Sequence, residues 1–188
     1  MMELLFTLGK KSERSGGSPD PYGGIDRFAD LYEAHTLSDH RLILKVLTQG
    51  DAVQFHALYR YARQDAVGQH EDAGQFAQRI AAKCEMIWTI RLAQQPETII
   101  GDCALHDWDA SAREFAFGGS LLPEYQGQQV MGDAFSLVAA FARAGYGARS
   151  MICYTSPVNL RAIRFAEKQG FIRCHSTVDS VVLRKALA

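Results

Sequence analysis

The chain is poor in the residues that build cross-links and metal sites. Its four cysteines, Cys84, Cys103, Cys153 and Cys174, are far apart and form no Cys-x-x-Cys pair. Three of them sit in apolar runs, which reads as buried reduced thiols rather than disulfides. The six histidines do not cluster with cysteine or carboxylate at a zinc-like spacing. No apolar run approaches the length of a membrane span, so no membrane partner is expected. Met1 to Leu8 is too short for a secretory apolar core and lacks a small-residue cleavage site, which points to a cytoplasmic protein. Charge of one sign is missing too: the formal net charge is −1 and no basic block stands out. That argues against nucleic acid as a partner. No internal repeat is visible.

What is present suits one globular domain: 188 residues, 47% of them apolar. Residues 9–24 are rich in Gly, Pro and Ser and have no aliphatic side chain, so they read as a linker or loose loop. Ile25, Phe28, Leu31 and Tyr32 form the stripe of a short helix over 25–35. We therefore read 1–40 as an N-terminal extension and 41–188 as the domain. Alternation predicts strands over 41–47 and 87–93. Between them, four-residue apolar steps predict helices over 52–63, with Asp51 as a candidate cap, and over 71–85. A return strand over 98–105, with Gly101 as a candidate bulge, precedes a turn over 106–111. A strand over 113–122 follows, with Phe115 and Phe117 on one face and Glu114, Ala116 and Gly118 on the other.

Leu121-Leu122-Pro123-Glu124-Tyr125-Gln126-Gly127-Gln128-Gln129-Val130-Met131-Gly132 joins that strand directly to a helix whose apolar face carries Val130, Ala134, Val138 and Phe141. The first N–H groups of such a helix lack intrahelical partners, and the positive end of its dipole lies beside them. This makes a site for phosphate, with Gly127 allowing close approach to the backbone. An ordinary strand-to-helix turn is the plain alternative. Gly145 and Gly147 end the helix. A strand over 150–155, a helix over 159–170 and an antiparallel pair over 171–177 and 181–185 complete the chain. Hairpins first and strand–helix alternation later imply a mixed α/β fold, with helices on both faces of the sheet.

The order strand, Gln126-Gly127-Gln128-Gln129-Val130-Met131, helix, strand, Asn159-led helix and Gly170-Phe171 resembles the GNAT family of N-acetyltransferases from about Arg41 to the C-terminus. It looks most like the branch that acetylates ribosomal-protein N-termini, where Gln-Gly-Gln-Gly-Ile-Met is typical. The resemblance implies a mostly antiparallel sheet splayed in the middle, with acetyl-CoA as cosubstrate in the gap and no metal. The two early helices would help form the acceptor-side wall. Cofactor-binding positions would be Leu121, Leu122, Gln126, Gly127, Gln128, Gln129, Val130, Met131, Gly132 and Asn159. The coenzyme's arm would pair with strand backbone near Ser120 to Leu122. The Leu121 N–H would polarise the thioester carbonyl.

The acceptor would be a protein N-terminus or a small amine, and the protein a monomer or homodimer. A base must free the amine from its proton. The branch often has a carboxylate where this chain has Ala116, so Glu114, on the same face, is the candidate base acting through water; a surface strand carboxylate is its plain reading. His106 and Ser120 are alternatives. Asn159 reads equally as a helix cap. The usual acid and serine positions hold Ala166 and Ala162, and Tyr154 can substitute as acid. Gln129 stands where the family has glycine. With Ala162 and Ala166 it supports a second reading, a non-catalytic protein that binds the coenzyme or serves a structural role.

Overall fold

The computed structural model describes residues 34–62, 67–68 and 70–187. The linker read over 9–24, and the helix read over 25–35 except its last two residues, lie outside them. The described chain builds β1 (Leu37–Ser38), β2 (Leu42–Val46), α1 (Ala52–Ala62), α2 (Ala73–Ala81), β3 (Met86–Leu92), β4 (Gly101–Asp109), β5 (Glu114–Leu121), α3 (Val130–Tyr146), β6 (Ser150–Thr155), α4 (Leu160–Lys168), β7 (Ile172–Ser176) and β8 (Val181–Ala186). The sheet has eight strands in the order β1-β2-β3-β4-β5-β6-β8-β7. Every neighbouring pair is antiparallel except β5–β6. That one parallel pair needs a crossover, which α3 supplies.

The short strand β1 had no signal in the periodicity. It pairs Leu37 with Leu44, and the His35 carbonyl accepts from Trp88 Nε1 at 2.8 Å. Residues 34–40 are thus part of the sheet's packing. Asp51 does not cap α1 as expected. It closes a 3-10 turn over Gln49–Asp51, where it accepts from Thr48 N–H and Oγ and pairs with the buried Arg91. The second helix is shorter than 71–85. Asp72 caps it by accepting from Gln75 N–H at 2.8 Å, and Glu85 already donates its N–H to Leu105 in the sheet. The expected bulge at Gly101 lies instead between His106 and Asp109, where Asp107 takes the left-handed φ of 54°. With that bulge β4 runs on to Asp109, whose carboxylate folds the following turn by accepting from Ser111 and Ala112 N–H.

The two faces of β5 follow the sequence alternation. Phe117 packs on Phe135 of α3, with ring centroids 5.1 Å apart. Each such fully buried Phe contributes on the order of 2–3 kcal/mol through area removed from water. The opposite face looks toward α1, where Tyr59 Oη donates to Asp102, the register partner of Ser120. So α1 and α3 cover opposite faces of the sheet, as expected. Cys84, Cys103 and Cys153 are buried free thiols and Cys174 is exposed.

Gly119 is the tightest point of the β4–β5 ladder on the α3 side. A Cβ there would press into the Asp102 carbonyl and lie 3.1 Å from Cys103 Cα and 3.2 Å from Met131 Cε. Two of those atoms are backbone and cannot swing away. Gly119→Ala is therefore expected to cost about 1–3 kcal/mol by overpacking, measured as a lower urea midpoint with an unchanged slope.

Candidate active site

The parallel pairing of β5 and β6 is short. Glu114 pairs with Ser150, Phe115 with Met151 and Ala116 with Ile152, and there the ladder stops. Beyond Ala116, β5 stays paired to β4 alone. Leu122 N–H donates to Ile100 on that side. By alternation, Gly119 and Leu121 turn their N–H and C=O groups to the β6 side, into the opening. The strands form a fork whose inner edge is β5 backbone.

Each end of the fork is tied. At the closed end Glu114 accepts from Ser150 Oγ at 2.7 Å, while Arg184 of β8 reaches both of its oxygens, at 2.7 and 3.0 Å. Glu114 was expected to reach the gap through water. Its carboxylate is instead engaged on both oxygens at the bottom of the fork, because Ser150 and Arg184 sit on the same sheet face as its register neighbours. At the open end Gln126 links the end of β5 to α4, the helix that follows β6. Its Nε2 donates to the Leu121 carbonyl at 2.9 Å, and its Oε1 accepts from Arg161 of α4. Gln126 thus spends its side chain holding the opening. Asn159 accepts from Ala162 N–H at 3.1 Å, so its oxygen caps α4.

The loop between β5 and α3 is shaped by two left-handed residues. Gly127 has φ 75° with nothing within 4 Å of where a Cβ would stand, so its backbone is open to a ligand. Gln129, which precedes Val130 at the first turn of α3, has φ 65°. A glutamine pays for that conformation, by about 1–2 kcal/mol from Cβ crowding. Its side chain lies across Gly132, whose missing Cβ leaves the room, and Lys168 of α4 donates to its Oε1 at 2.7 Å. Gln128 points back to the Glu124 carbonyl. Val130, Met131 and Gly132 are buried and start the helix, where their N–H groups are the orphan donors of a helix N-terminus. The open Gly127, the helix start and the unpaired β5 edge therefore lie in series, an arrangement that fits an extended molecule with a phosphate at one end.

The face of the sheet toward α1 carries small residues at the fork. Ala104, Ala116 and Gly118 share it by register, together with His106, Ile152 and Tyr154. Tyr154 is half-buried. Burial first, then the negative charges of Glu114 and Asp107, raises its phenol and keeps it protonated at neutral pH. Tyr59 is fully buried, and burial with the adjacent Asp102 raises it further. Burial likewise pushes the Cys103 and Cys153 thiols up, so they remain uncharged. Among the described residues no three His, Cys, Asp or Glu side chains converge as a metal site would require. No described helix is long and apolar enough to cross a membrane.

A family model for the acetyltransferase (GNAT) domain matches residues 41–172, from the start of β2 into β7. The chain belongs to the GNAT acetyltransferase family. It is therefore an N-acetyltransferase of the GNAT fold, with acetyl-CoA as cosubstrate. No curated protein matches the chain in sequence. Among solved structures, the spermidine N-acetyltransferase of Vibrio cholerae, in complex with CoA and spermine, superposes with a TM-score of 0.66 at 17% identity, over 79% of this chain and 97% of that one. A Vibrio cholerae protein provisionally assigned as a ribosomal-protein-serine acetyltransferase gives a TM-score of 0.68 at 16% identity, over 80% of this chain and 97% of that one. At such identities the likeness is one of fold.

In this GNAT fold the geometry adds a position that sequence reading passed over. Gly119 faces the opening like Leu121 but lies nearer the fork, about 10 Å along the strand from Ala116. Two adjacent glycines, Gly118 and Gly119, were its only signal, since glycine inside a strand marks a close backbone approach.

Gln129→Gly removes the left-handed cost and clears the first turn of α3. After the extra chain entropy of glycine, we expect a gain of up to about 1 kcal/mol in unfolding free energy. Coenzyme A should bind several-fold tighter by calorimetry. Weaker binding in the glycine variant would make the Gln129 amide a ligand.

Proposed function

We propose that this GNAT enzyme moves the acetyl group of acetyl-CoA onto a primary amine by direct attack, and that a peptide N-terminus is its preferred acceptor. The observation that carries the transfer reading is the run of β5 backbone from Gly119 to Leu121 that has no strand partner on the β6 side, opening beside Gly127 and the start of α3. An extended pantetheine arm adds to such an edge as a strand would. The orphan N–H groups from Val130 to Gly132, with Gly127, suit the pyrophosphate. The N–H groups of Gly119 and Leu121 are candidates to hold the thioester carbonyl as negative charge develops on its oxygen. Tyr154, kept protonated, is placed to give a proton to the departing sulfur.

Two features support a peptide N-terminus. One is the Gln126-Gly127-Gln128-Gln129-Val130-Met131 loop, with its likeness to the ribosomal-protein branch. The other is the acidic side chains on the α1 face. Asp102 is taken by Tyr59 and Ser120 N–H, and Glu114 by Arg184. That leaves little unshared negative charge for a polycation. The fold likeness to a spermidine acetyltransferase makes a small amine the second reading.

The test is a thermal-shift titration with acetyl-CoA followed by a panel of peptides and polyamines. We expect a rise in Tm with acetyl-CoA, and kcat/KM at least tenfold higher for peptides with a free N-terminus than for spermidine or spermine. Turnover of polyamines alone would move the acceptor to the small-amine class. No shift and no calorimetric binding at millimolar acetyl-CoA would remove the transferase reading. Glu114→Gln tests the clasp separately. It should lower stability by about 1 kcal/mol, discounted because Arg184 is half exposed, while turnover changes by less than threefold.

A further inference from the structure

We propose that His106 is the general base of this enzyme, with Asp107 as its positioning residue. The inference rests on the acetyl-transfer reading. His106 lies opposite Ala116 in the β4–β5 register, and Ala116 is in turn the last β5 residue paired to β6. Opposite residues share a face, so the imidazole stands at the fork, on the α1 side, beside Ala116, Ile152 and Tyr154.

The ring is 1% exposed, yet its two nitrogens are treated differently. Nδ1 is 3.0 Å from Asp107 Oδ2. Two acceptors do not share a contact without a proton, so beside a carboxylate Nδ1 carries the hydrogen, and in the neutral ring Nε2 then keeps the lone pair. Nε2 is buried and has no hydrogen-bond partner. Leaving a buried acceptor unpaired costs about 1–3 kcal/mol; His56 Nε2 on α1 is unpaired as well, and what sets His106 apart is the Asp107 contact at Nδ1 and its place at the fork. The backbone is spent on the same arrangement. The bulge between His106 and Asp109 re-aims this part of β4, and Asp107 holds a left-handed φ of 54° so that its side chain turns back on the ring. Ala104, Ala116 and Gly118, all small and buried, share the sheet face with the ring.

The titratable groups facing the ring come from β3, β5, β6 and α1. Glu114 on β5 is held by Ser150 and by Arg184 of β8. Glu85, next to β3, accepts from Trp108 N–H through Oε1, while its Oε2 is buried without a hydrogen-bond partner. On α1, Tyr59 is turned to Asp102 and His56 to the Phe76 ring. Tyr154 on β6 is protonated. In the step, Nε2 accepts a proton from the acceptor ammonium, and the Asp107 carboxylate stabilises the imidazolium. The freed amine forms the N–C bond to the acetyl carbon as the C–S bond breaks. The second amine proton ends on sulfur, through Tyr154, and the imidazolium proton leaves to solvent past the partly exposed Asp107. One proton is released per turnover.

The test compares wild type, His106→Gln and Asp107→Asn. His106→Gln should lose about 10²–10³-fold in kcat, with coenzyme A affinity within twofold of wild type. Asp107→Asn should lower kcat with KM little changed, because the ring is no longer held in one tautomer. Imidazole should restore part of the rate to His106→Gly. Retention of most of kcat in His106→Gln would overturn the assignment. An arm independent of turnover uses ¹⁵N imidazole spectra with coenzyme A bound. An Nδ1–H tautomer with a free Nε2 supports the proposal, and a ring that is Nε2–H overturns it. If wild type binds acetyl-CoA but acetylates no amine, the transfer reading fails, while the spectra still decide the state of His106.

Discussion

Only three residue pairs join β5 to β6, and the rest of the molecule is arranged around that short contact. A parallel pair that continued to the strand ends would satisfy its own backbone and leave no opening. Here the ladder stops at Ala116–Ile152, while β5 keeps its antiparallel bonds to β4 as far as Leu121. Its outer edge is thereby presented to whatever lies in the gap. The geometry is fixed from both ends: by Glu114, Ser150 and Arg184 where the strands meet, and by Gln126 and Arg161 where they part. Neither tie is apolar. A hydrophobic contact would tend to draw the strands together, whereas hydrogen bonds of set length hold a spacing.

The packing keeps polar groups close to the fork without leaving them unpaired. Asp102 is buried, and its two oxygens accept from Tyr59 Oη and Ser120 N–H. Arg91 is buried against Asp51, Thr89 and the Pro96 carbonyl. Burying such groups is costly unless each finds a partner, and here each does. Against that background the Nε2 of His106 differs, as do His56 Nε2 and Glu85 Oε2, because each is buried and lacks the partner. The bulge and the left-handed Asp107 beside it show where the chain departs from regular strand geometry.

The loop before α3 shows how one departure from a family pattern is absorbed. A glutamine at a left-handed position is strained, and its side chain needs somewhere to go. Gly132, less than one turn later, provides the space, and Lys168 of α4 provides the hydrogen bond. The three residues work as a set, which explains why an ordinary side chain can stand at Gln129 without breaking the turn.

The sequence by itself determined the elements and their order. Strand alternation in Glu114–Leu121 and helical periodicity from Val130 onward are local properties, set by which side chains must be buried on which face. The glycine turn, the Asn159 cap and the Gly147 stop are equally local, because each depends on the conformational range of one residue. The loop motif was legible for the same reason: its residues are contiguous. What the tertiary structure decided was every relation between distant segments. Glu114 looked like a strand carboxylate free to face the gap, and only the arrival of Arg184, seventy residues later, engages it at the closed end. Gln126 could be read only as a loop residue beside Gly127, and the fold brings Arg161 of α4 to its Oε1. His106 looked like a turn residue. The bulge that extends β4 past it depends on β5 lying alongside, so its buried, one-sided imidazole could not be read from neighbours in sequence. Register and long-range pairing are settled by packing the whole sheet at once, and no short window of the chain contains that information.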